Sequence, residues 1–273
     1  MGKFSGLLIC TDLDGTVFKN DKTISKENTQ AIEYFKKEGG YFTFVTGRMP
    51  YYVSHARDCI KPNAPIGCAN GGGLYDTVKN EYVWKQVLPK NVTELVEYID
   101  RNLPDIGIQV SGIYKSYFYK DNEAMVRFRN ISQLENIVCH YKEVPEEYGK
   151  IIFSSHINQE ILELEKMLKS HPRAEEFDFI RSEKTLFEIL PKGVSKGTSI
   201  AKLCEYLNID IKKSIGIGDY NNDIPMFKAA GIGIAVSNAC PEAKEAADYI
   251  TVSNEESAIA KVIEDIESGK LCF

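Results

Sequence analysis

The sequence predicts an α/β protein with a doubly wound parallel sheet as its core and a second, α+β domain inserted into that core. Near both ends of the chain, short apolar runs alternate with amphipathic stretches, as in successive βαβ units. In the middle of the chain, strand patterns follow each other closely and are accompanied by helical patterns of their own. The chain has 273 residues, which is long enough for two domains. We expect residues 1–84 and 188–273 to form the core domain and residues 85–187 to form the insert.

The N-terminal third predicts strands and helices in strict alternation. Leu7–Thr11 is a short apolar run, typical of a strand buried on both faces of a parallel sheet. A helical pattern follows, for which Ser25 is a suitable N-cap and Gly39 a suitable end. A second β-rich run covers Tyr41–Thr46, and a third short strand in residues 65–70 leads into three glycines. This order predicts strands of one parallel sheet.

The middle of the chain predicts a different arrangement. A hairpin with its turn near Lys79 and Asn80 begins it. A helix follows, for which Asn91 and Glu94 are spaced as a capping box. Further strand patterns ("IGIQV", "YKSYFYK", "KIIFSSH" and "FDFIRS"), a second helical pattern and a short amphipathic stretch at Met125–Arg129 complete the insert.

Alternation resumes in the C-terminal third. The pattern predicts a helix at residues 195–206, a strand at 214–218, and a helix near 225–230. A further strand, a helix from Pro241, the strand "YITV" and a last helix from Glu255 complete the core domain.

Charge and cysteine content narrow the classes of function. A net charge of −6 and an isoelectric point near 5.4 disfavour a nucleic-acid-binding protein. No apolar run approaches the roughly 20 residues of a membrane span. The seven cysteines are scattered, and neither they nor the four histidines show metal-ligand spacing. This pattern is typical of reduced thiols, and we expect a cytoplasmic protein.

Two aspartates follow the first predicted strand. Asp12 and Asp14, in "DLDGT", are two positions apart, so in an extended chain their side chains point to the same side. The carboxyl ends of parallel strands border the ligand crevice of open α/β sheets. A polar turn explains these two residues equally well by themselves, because Asp and Gly are common in turns.

A second acidic pair favours the functional interpretation. Asp219 ends the predicted strand at 214–218, and Asp223 follows near the start of a helix. Separately, Asp219 could be a turn residue and Asp223 an acid placed by the helix dipole. Together with Asp12 and Asp14 they form an all-oxygen set that suits a hard cation such as Mg²⁺.

Two other predicted segments offer groups for an anion. Thr46 and Gly47 end the second β-rich run with a hydroxyl and backbone N–H groups that could hold phosphate oxygens; a polar strand-to-helix turn is the alternative. Lys196 begins a predicted helix, where its charge opposes the helix dipole. A lysine in that place is more consistent with an anionic partner than one in the middle of a helix face.

Four motifs, "DLDGT", "TGR", "SKG" and "GDYNND", resemble those of the haloacid dehalogenase-like (HAD) superfamily in order and approximate spacing. The chain is most similar to its Cof-type phosphatases, in which a Rossmann-like core carries a cap domain of type IIB inserted between the second and third motifs. This resemblance implies that Asp12 is the nucleophile and forms an aspartyl-phosphate. Asp14 would be the general acid and then the general base.

The same resemblance implies the remaining roles. Mg²⁺ would be held by Asp12, the backbone carbonyl of Asp14 and Asp219, with Asp223 at or beside the metal. Arg48 and Asn70 would lie on the substrate side, although a surface arginine and a turn asparagine are equally consistent with their sequence context. The transferred phosphoryl group would be held by the Leu13 backbone, Thr46, Gly47, Lys196 and Asn222.

We therefore expect a Mg²⁺-dependent phosphatase that hydrolyses phosphomonoesters of small metabolites, such as sugar phosphates or phosphorylated cofactors. The alternatives are a phosphomutase similar to the phosphomannomutases and a sensor that binds a phosphorylated ligand without catalysis. The expected partner is a small phosphorylated metabolite, without nucleic acid or membrane, and the expected assembly is a monomer or homodimer.

Overall fold

The structure is a computed structural model that describes residues 2–126, 129 and 136–272. Residues 127 and 128 of the amphipathic stretch expected at Met125–Arg129 lie outside these residues. The chain divides into two units: Met1–Arg48, Val53–Lys85 and Ser195–Phe273 form the first, and Met49–Tyr52 and Gln86–Val194 form the second.

The strands are numbered in chain order over the described residues. They are β1 (Leu8–Thr11), β2 (Tyr41–Phe44), β3 (Ile66–Cys68), β4 (Gly73–Asp76), β5 (Glu81–Lys85), β6 (Gly107–Gly112), β7 (Ser116–Lys120), β8 (Ile137–Val138), β9 (Tyr148–Ser154), β10 (Phe177–Glu183), β11 (Leu186–Pro191), β12 (Ser214–Gly218), β13 (Ile232–Ala235) and β14 (Tyr249–Ile250).

The helices are numbered in the same way. They are α1 (Lys26–Lys37), α2 (Ser54–Ile60), α3 (Val92–Asn102), α4 (Asn158–Lys169), α5 (Lys196–Leu207), α6 (Ile224–Ala229), α7 (Pro241–Ala246) and α8 (Ala258–Glu267).

The first unit is built on a parallel sheet with the strand order β14-β13-β12-β1-β2. Ile9 of β1 is in register with Ile215 of β12 on one side and with Phe42 of β2 on the other. All four residues of β1 are buried, as expected for a strand covered on both faces. The predicted α/β class with a doubly wound parallel sheet is confirmed. Because β1, β2 and β12 run in the same direction, the residues that follow them meet at one edge of the sheet.

The strand predicted in residues 65–70 does not extend this parallel sheet. Within the described residues, β3 makes one isolated parallel bridge toward the first sheet, between Val45 and Gly67, and otherwise pairs antiparallel with β4. The chain reverses through Ala69–Gly71, whose residues all have positive φ angles. This reversal commits β3 to a small sheet of order β3-β4-β5. The hairpin from β4 to β5 turns at Asn80, close to the predicted position.

Two predicted helix N-caps have different outcomes. The Ser25 hydroxyl accepts the N–H of Asn28 at 3.1 Å, so Ser25 caps α1 as predicted. The predicted capping box of α3 is wrong, because Asn91 already has helical angles and makes no side-chain cap bond. Its side-chain amide donates instead to the Glu176 carboxylate at 3.2 Å. A residue with helical φ and ψ angles is not in the extended conformation that an N-cap normally adopts.

The second unit has a sheet of order β10-β11-β9-β6-β7-β8, in which neighbouring strands are antiparallel except β7 and β8. Its main apolar cluster includes Leu95 of α3, Leu164 of α4 and Phe153 of β9. The predicted α+β character of the insert is confirmed. Residues 188–194, assigned to the core domain from sequence, lie in this unit, and 188–191 are the end of β11, which pairs with β9. Met49–Tyr52, also assigned to the core domain, belong to this unit as well.

Within the portion of the chain that the structure describes, every helix is too short or too polar to cross a lipid bilayer.

Candidate active site

Asp12 and Asp219 directly follow two neighbouring strands of the parallel sheet. Asp12 comes after β1 and continues its ladder, because its N–H donates to the Ile217 carbonyl at 2.8 Å. Asp219 comes after β12, the neighbour of β1. The pairing of β1 with β12 therefore brings together carboxylates that are about 200 residues apart in sequence.

A buried lysine joins the acidic residues. The Lys196 ammonium lies 2.6 Å from Oδ1 of Asp12 and 2.5 Å from Oδ1 of Asp223. Lys196 is 1% exposed and is the first residue of α5, the position identified from sequence as unfavourable for a cation. The two carboxylates account for this position, because the pair replaces the hydration that the ammonium loses on burial.

Asp223 has hydrogen-bond partners at both carboxylate oxygens. Its Oδ1 accepts from Lys196, and its Oδ2 accepts the N–H groups of Asp219 and Tyr220, each at 3.0 Å. The side chain is fully buried. Asp223 therefore fixes both the lysine and the backbone of the turn that carries Asp219.

The cluster has more negative than positive charge. Carboxylate oxygens of Asp12, Asp219 and Asp223 lie within 4.8 Å of one another, and Lys196 supplies one positive charge. Burial raises the pKa of Asp12 to about 8, and nearby Asp223 and Asp219 add to this effect, although Lys196 opposes it. Burial and Asp223 raise the pKa of Asp219 to about 6, against the hydrogen bond from Thr16. Burial disfavours the charged form of Lys196, but the two carboxylates outweigh it and raise its pKa.

This donor set fits a divalent cation. Three carboxylates and one ammonium leave two negative charges without compensation in a largely buried space. Two more positive charges would balance them and would lower the raised pKa values of Asp12 and Asp219. The donors are all oxygen atoms, which hard cations prefer.

The turn after Asp14 has no room for a side chain. Gly15 has a φ angle of +80°, and a Cβ atom there would lie 2.6 Å from Oδ2 of Asp219. Glycine is therefore required for both conformation and space. The next residue, Thr16, donates its hydroxyl to Oδ1 of Asp219 at 2.8 Å. The loop after β1 thus contacts the carboxylate that follows β12.

Asp14 lies beside two cations. Arg48 donates to its Oδ2 from Nε at 3.1 Å and from Nη2 at 2.6 Å, and Lys22 donates to its Oδ1 at 3.0 Å. Partial burial favours the protonated form of Asp14, but Arg48 and Lys22 outweigh it and lower its pKa. Arg48, a candidate substrate residue from sequence, therefore contacts Asp14 in this structure.

Thr46, Gly47 and Asn70 are also close together. The Thr46 hydroxyl accepts the N–H of Arg48 at 3.2 Å, and the Thr46 carbonyl accepts the N–H of Asn70 at 3.1 Å. A Cβ atom at Gly47 would lie 2.9 Å from the side-chain oxygen of Asn70. That oxygen accepts a hydrogen bond from the Asn222 amide at 3.2 Å.

Leu13, between the two aspartates, has a fully buried side chain, and its carbonyl accepts the N–H of Phe18 at 2.9 Å. The structure thus brings Asp12, Asp219 and Asp223 together around Lys196. The Asp14 carboxylate, expected from sequence in the same acidic set, pairs with Arg48 and Lys22 instead. Two contributors were not recognised from sequence, Thr16 and Lys22. Thr16 stands inside the "DLDGT" motif, which could have signalled it, whereas no local pattern distinguishes Lys22 from a surface lysine.

Comparison with known proteins identifies the family. The family model described as haloacid dehalogenase-like hydrolase matches residues 9–263. Among curated proteins, YcsE of Bacillus subtilis (strain 168) is 29% identical over 256 residues, covering 94% of each chain. YwtE of the same organism is 29% identical over 287 residues, covering 96% of this chain and 98% of its own length. Both carry the name 5-amino-6-(5-phospho-D-ribitylamino)uracil phosphatase.

A solved structure shares the architecture. A haloacid dehalogenase-like hydrolase from Bacteroides thetaiotaomicron superposes with a TM-score of 0.84 at 26% identity, covering 95% of this chain and 99% of that chain. The resemblance predicted from four motifs is confirmed. The chain belongs to the haloacid dehalogenase-like hydrolases.

Proposed function

We propose that this protein is a Mg²⁺-dependent phosphatase that hydrolyses phosphomonoesters of small metabolites through an aspartyl-phosphate on Asp12. The observation that carries the proposal is the buried carboxylate of Asp12 at the end of β1, 2.6 Å from the Lys196 ammonium and grouped with Asp219. A carboxylate held beside a cation is oriented for attack on phosphorus, while the cation offsets charge on the phosphoryl oxygens.

The reaction has two steps, with Asp14 taking part in both. In the first, an Asp12 oxygen forms a bond to phosphorus, the ester P–O bond breaks, and Asp14 gives its proton to the leaving alcohol. In the second, Asp14 takes a proton from water, the water oxygen bonds to phosphorus, and the bond to Asp12 breaks. Inorganic phosphate leaves, and both aspartates return to their starting states.

The contacts of Asp14 match this double role. With Arg48 and Lys22 beside it, Asp14 has a lowered pKa and is held as the base that the second step needs. An anionic phosphoryl group competes with Asp14 for Arg48. When Arg48 turns toward that group, the pKa of Asp14 rises, which favours the protonated form needed in the first step.

The phosphoryl oxygens are held by groups at neighbouring strand ends. The Leu13 backbone N–H, the Thr46 hydroxyl and the Gly47 N–H supply neutral donors, and Lys196 and Asn222 supply side-chain donors. Asn70 positions Asn222 through their hydrogen bond. Phosphoryl transfer depends mainly on such positioning and charge compensation.

The metal would be held by Asp12, the backbone carbonyl of Asp14 and Asp219. Asp223 would not bind the metal directly, because both of its oxygens already accept hydrogen bonds from the protein. It would instead hold Lys196 and the turn of Asp219 in place. When bound, Mg²⁺ supplies positive charge to the phosphoryl oxygens and lowers the pKa values of the carboxylates around it.

The names of two relatives support the proposed substrate class. YcsE and YwtE are named for a substrate that carries its phosphate on a ribityl chain, a sugar-alcohol group. We propose that the substrates of this protein are sugar phosphates and phosphorylated cofactors or their precursors. The scattered cysteines favour a cytoplasmic enzyme, and we propose a monomer or homodimer with the second unit as the specificity cap.

Product analysis tests the proposed function. With Mg²⁺ and a panel of phosphorylated sugars and sugar alcohols, we expect free phosphate to appear in a colorimetric assay. An isomeric sugar phosphate, detected by ³¹P NMR, would instead indicate a phosphomutase. Binding without turnover of any panel member would indicate a sensor.

Replacing the nucleophile should abolish turnover. Asp12→Asn removes the attacking oxygen anion, and we expect kcat for an aryl phosphate to fall by about 10⁴-fold or more. Asp58→Asn, which changes an exposed aspartate of the same unit, is the matched control. Circular dichroism should show both variants folded. Wild-type activity in Asp12→Asn would exclude Asp12 as the nucleophile.

Asp14→Asn should separate good from poor leaving groups. In single-turnover measurements, transfer from an alkyl phosphate should slow by about 10²- to 10⁴-fold, the usual contribution of a general acid. Release of nitrophenolate from p-nitrophenyl phosphate should be much less affected, because this leaving group needs no proton. Equal losses for both esters would contradict the role of Asp14 as the acid.

Chelation should make stability depend on pH in a defined direction. Asp12 and Asp219 have pKa values raised from 3.8 to about 8 and about 6, so the folded state binds more protons than the unfolded state in this interval. The free energy of unfolding should therefore fall as the pH rises from about 4 to about 8. We expect EDTA to remove activity and to expose this fall in Tm, and Mg²⁺ to reverse both. An EDTA-treated wild type whose Tm profile matched that of Asp12→Asn/Asp219→Asn would contradict the predicted charge imbalance.

A further inference from the structure

Two asparagines from the C-terminal part of the chain hold the loop that carries Asp14. The Asn238 amide donates to the Gly15 carbonyl at 2.8 Å. The Asn254 amide donates to the Phe18 carbonyl at 3.0 Å and to the side-chain oxygen of Asn20 at 3.2 Å. The two asparagines are joined, because the backbone N–H of Asn254 donates to the Asn238 side-chain oxygen at 2.9 Å. We call Asn238 and Asn254 the asparagine clasp.

The clasp differs from ordinary surface hydrogen bonding. Asn254 is 2% exposed, and its side-chain amide has partners in residues 18 and 20. A buried amide and a buried carbonyl each need a partner, so this pairing specifies one position of the loop. Asn238 lies at the surface and reaches the loop directly after Asp14.

The clasp is itself connected by hydrogen bonds to two helices of the first unit. The turn Asn254–Glu256 is closed by Ser253, whose hydroxyl and N–H both donate to the Glu256 carboxylate. The Ser257 hydroxyl donates to that of Ser25, 2.9 Å away at the start of α1. The N–H of Ala260 in α8 donates to the side chain of Asn28 in α1 at 2.9 Å. The clasp therefore connects the loop to the paired helices α1 and α8.

Different side chains attract different parts of this loop, so its backbone needs to be held in place. Gly15, with its left-handed φ angle, leaves the backbone free to change direction at the residue after Asp14. Arg48 and Lys22 attract the Asp14 carboxylate, and Thr16 must at the same time keep its hydrogen bond to Asp219. Fixing the Gly15 carbonyl and the Phe18 carbonyl holds both ends of the short segment between them.

We propose that Asn238 and Asn254 are positioning residues that hold Asp14 where it can protonate the leaving group. They do so through the loop backbone and do not contact substrate. This inference rests on the proposed function, in which Asp14 is the general acid. Proton transfer requires hydrogen-bond distance between acid and leaving oxygen, so a displacement of about 1 Å can slow it by about 10²-fold.

Leaving-group dependence tests the clasp. Asn238→Ala changes an exposed side chain and removes the donor to Gly15, whereas Asn238→Asp removes the donor and keeps an acceptor for the Asn254 N–H. Asn254→Asp, nearly isosteric, removes both amide donors to the loop. For all three we expect single-turnover transfer from an alkyl phosphate to slow by about 10- to 100-fold. Transfer from p-nitrophenyl phosphate should slow by less than about threefold, because it needs little proton donation.

The controls separate positioning from general damage. Ser237→Ala changes the exposed neighbour of Asn238 and should leave both rates unchanged. Thermal unfolding identifies any variant that loses its fold. If Asn254→Asp unfolds, the exposed Asn238→Ala variant still tests the inference. Equal slowing of both esters in folded Asn238→Ala, or no slowing of either, would overturn the inference.

The outcome is distinguishable from failure of the proposed function. If Asp14→Asn shows the difference between esters and Asn238→Ala does not, the clasp alone is excluded. If Asp14→Asn shows no difference either, the acid role is excluded and the positioning inference with it.

Discussion

The buried ammonium of Lys196 between Asp12 and Asp223 is the interaction on which the rest of the site depends. Removing one member of such a buried group generally costs about 3–5 kcal/mol, because the remaining charge has neither water nor partner. Here the loss of Lys196 would also remove a hydrogen bond from Asp223, whose other carboxylate oxygen holds the turn that carries Asp219. The interaction joins the ends of β1 and β12 to the start of α5. It therefore fixes the positions of the side chains in the site. The three carboxylates still carry more negative charge than Lys196 neutralises, and this excess favours binding of a divalent cation.

Much of this arrangement could be predicted from the sequence because it follows from strand geometry. Asp12 and Asp219 each follow an apolar run, and parallel strands place such residues at one edge. Lys196 was recognisable because a cation at a helix N-terminus is unfavourable without an anionic partner. In each case, a local pattern sufficed to indicate the tertiary position.

The remaining features depend on contacts between distant segments. Lys22 reaches Asp14 from a neighbouring turn, and Asn254 reaches a loop more than 230 residues away, so neither has a local signature. The antiparallel pairing of β3 is decided by the left-handed residues after it, since its own composition suits either orientation. Asn91 is a residue type that often caps helices, but its side chain donates a hydrogen bond to Glu176 and does not cap α3. Propensity rules fail in these cases because tertiary partners override them.

The order of strands in the first sheet has a consequence for synthesis of the chain. One neighbour of β1, the strand β12, is translated about 200 residues after it, whereas the second unit is complete at Val194. At about 5–20 residues per second, β1 waits roughly 10–40 s on the ribosome with that apolar edge unpaired. During this interval that edge of β1 is open to non-native pairing, and a chaperone that covered it would favour correct folding.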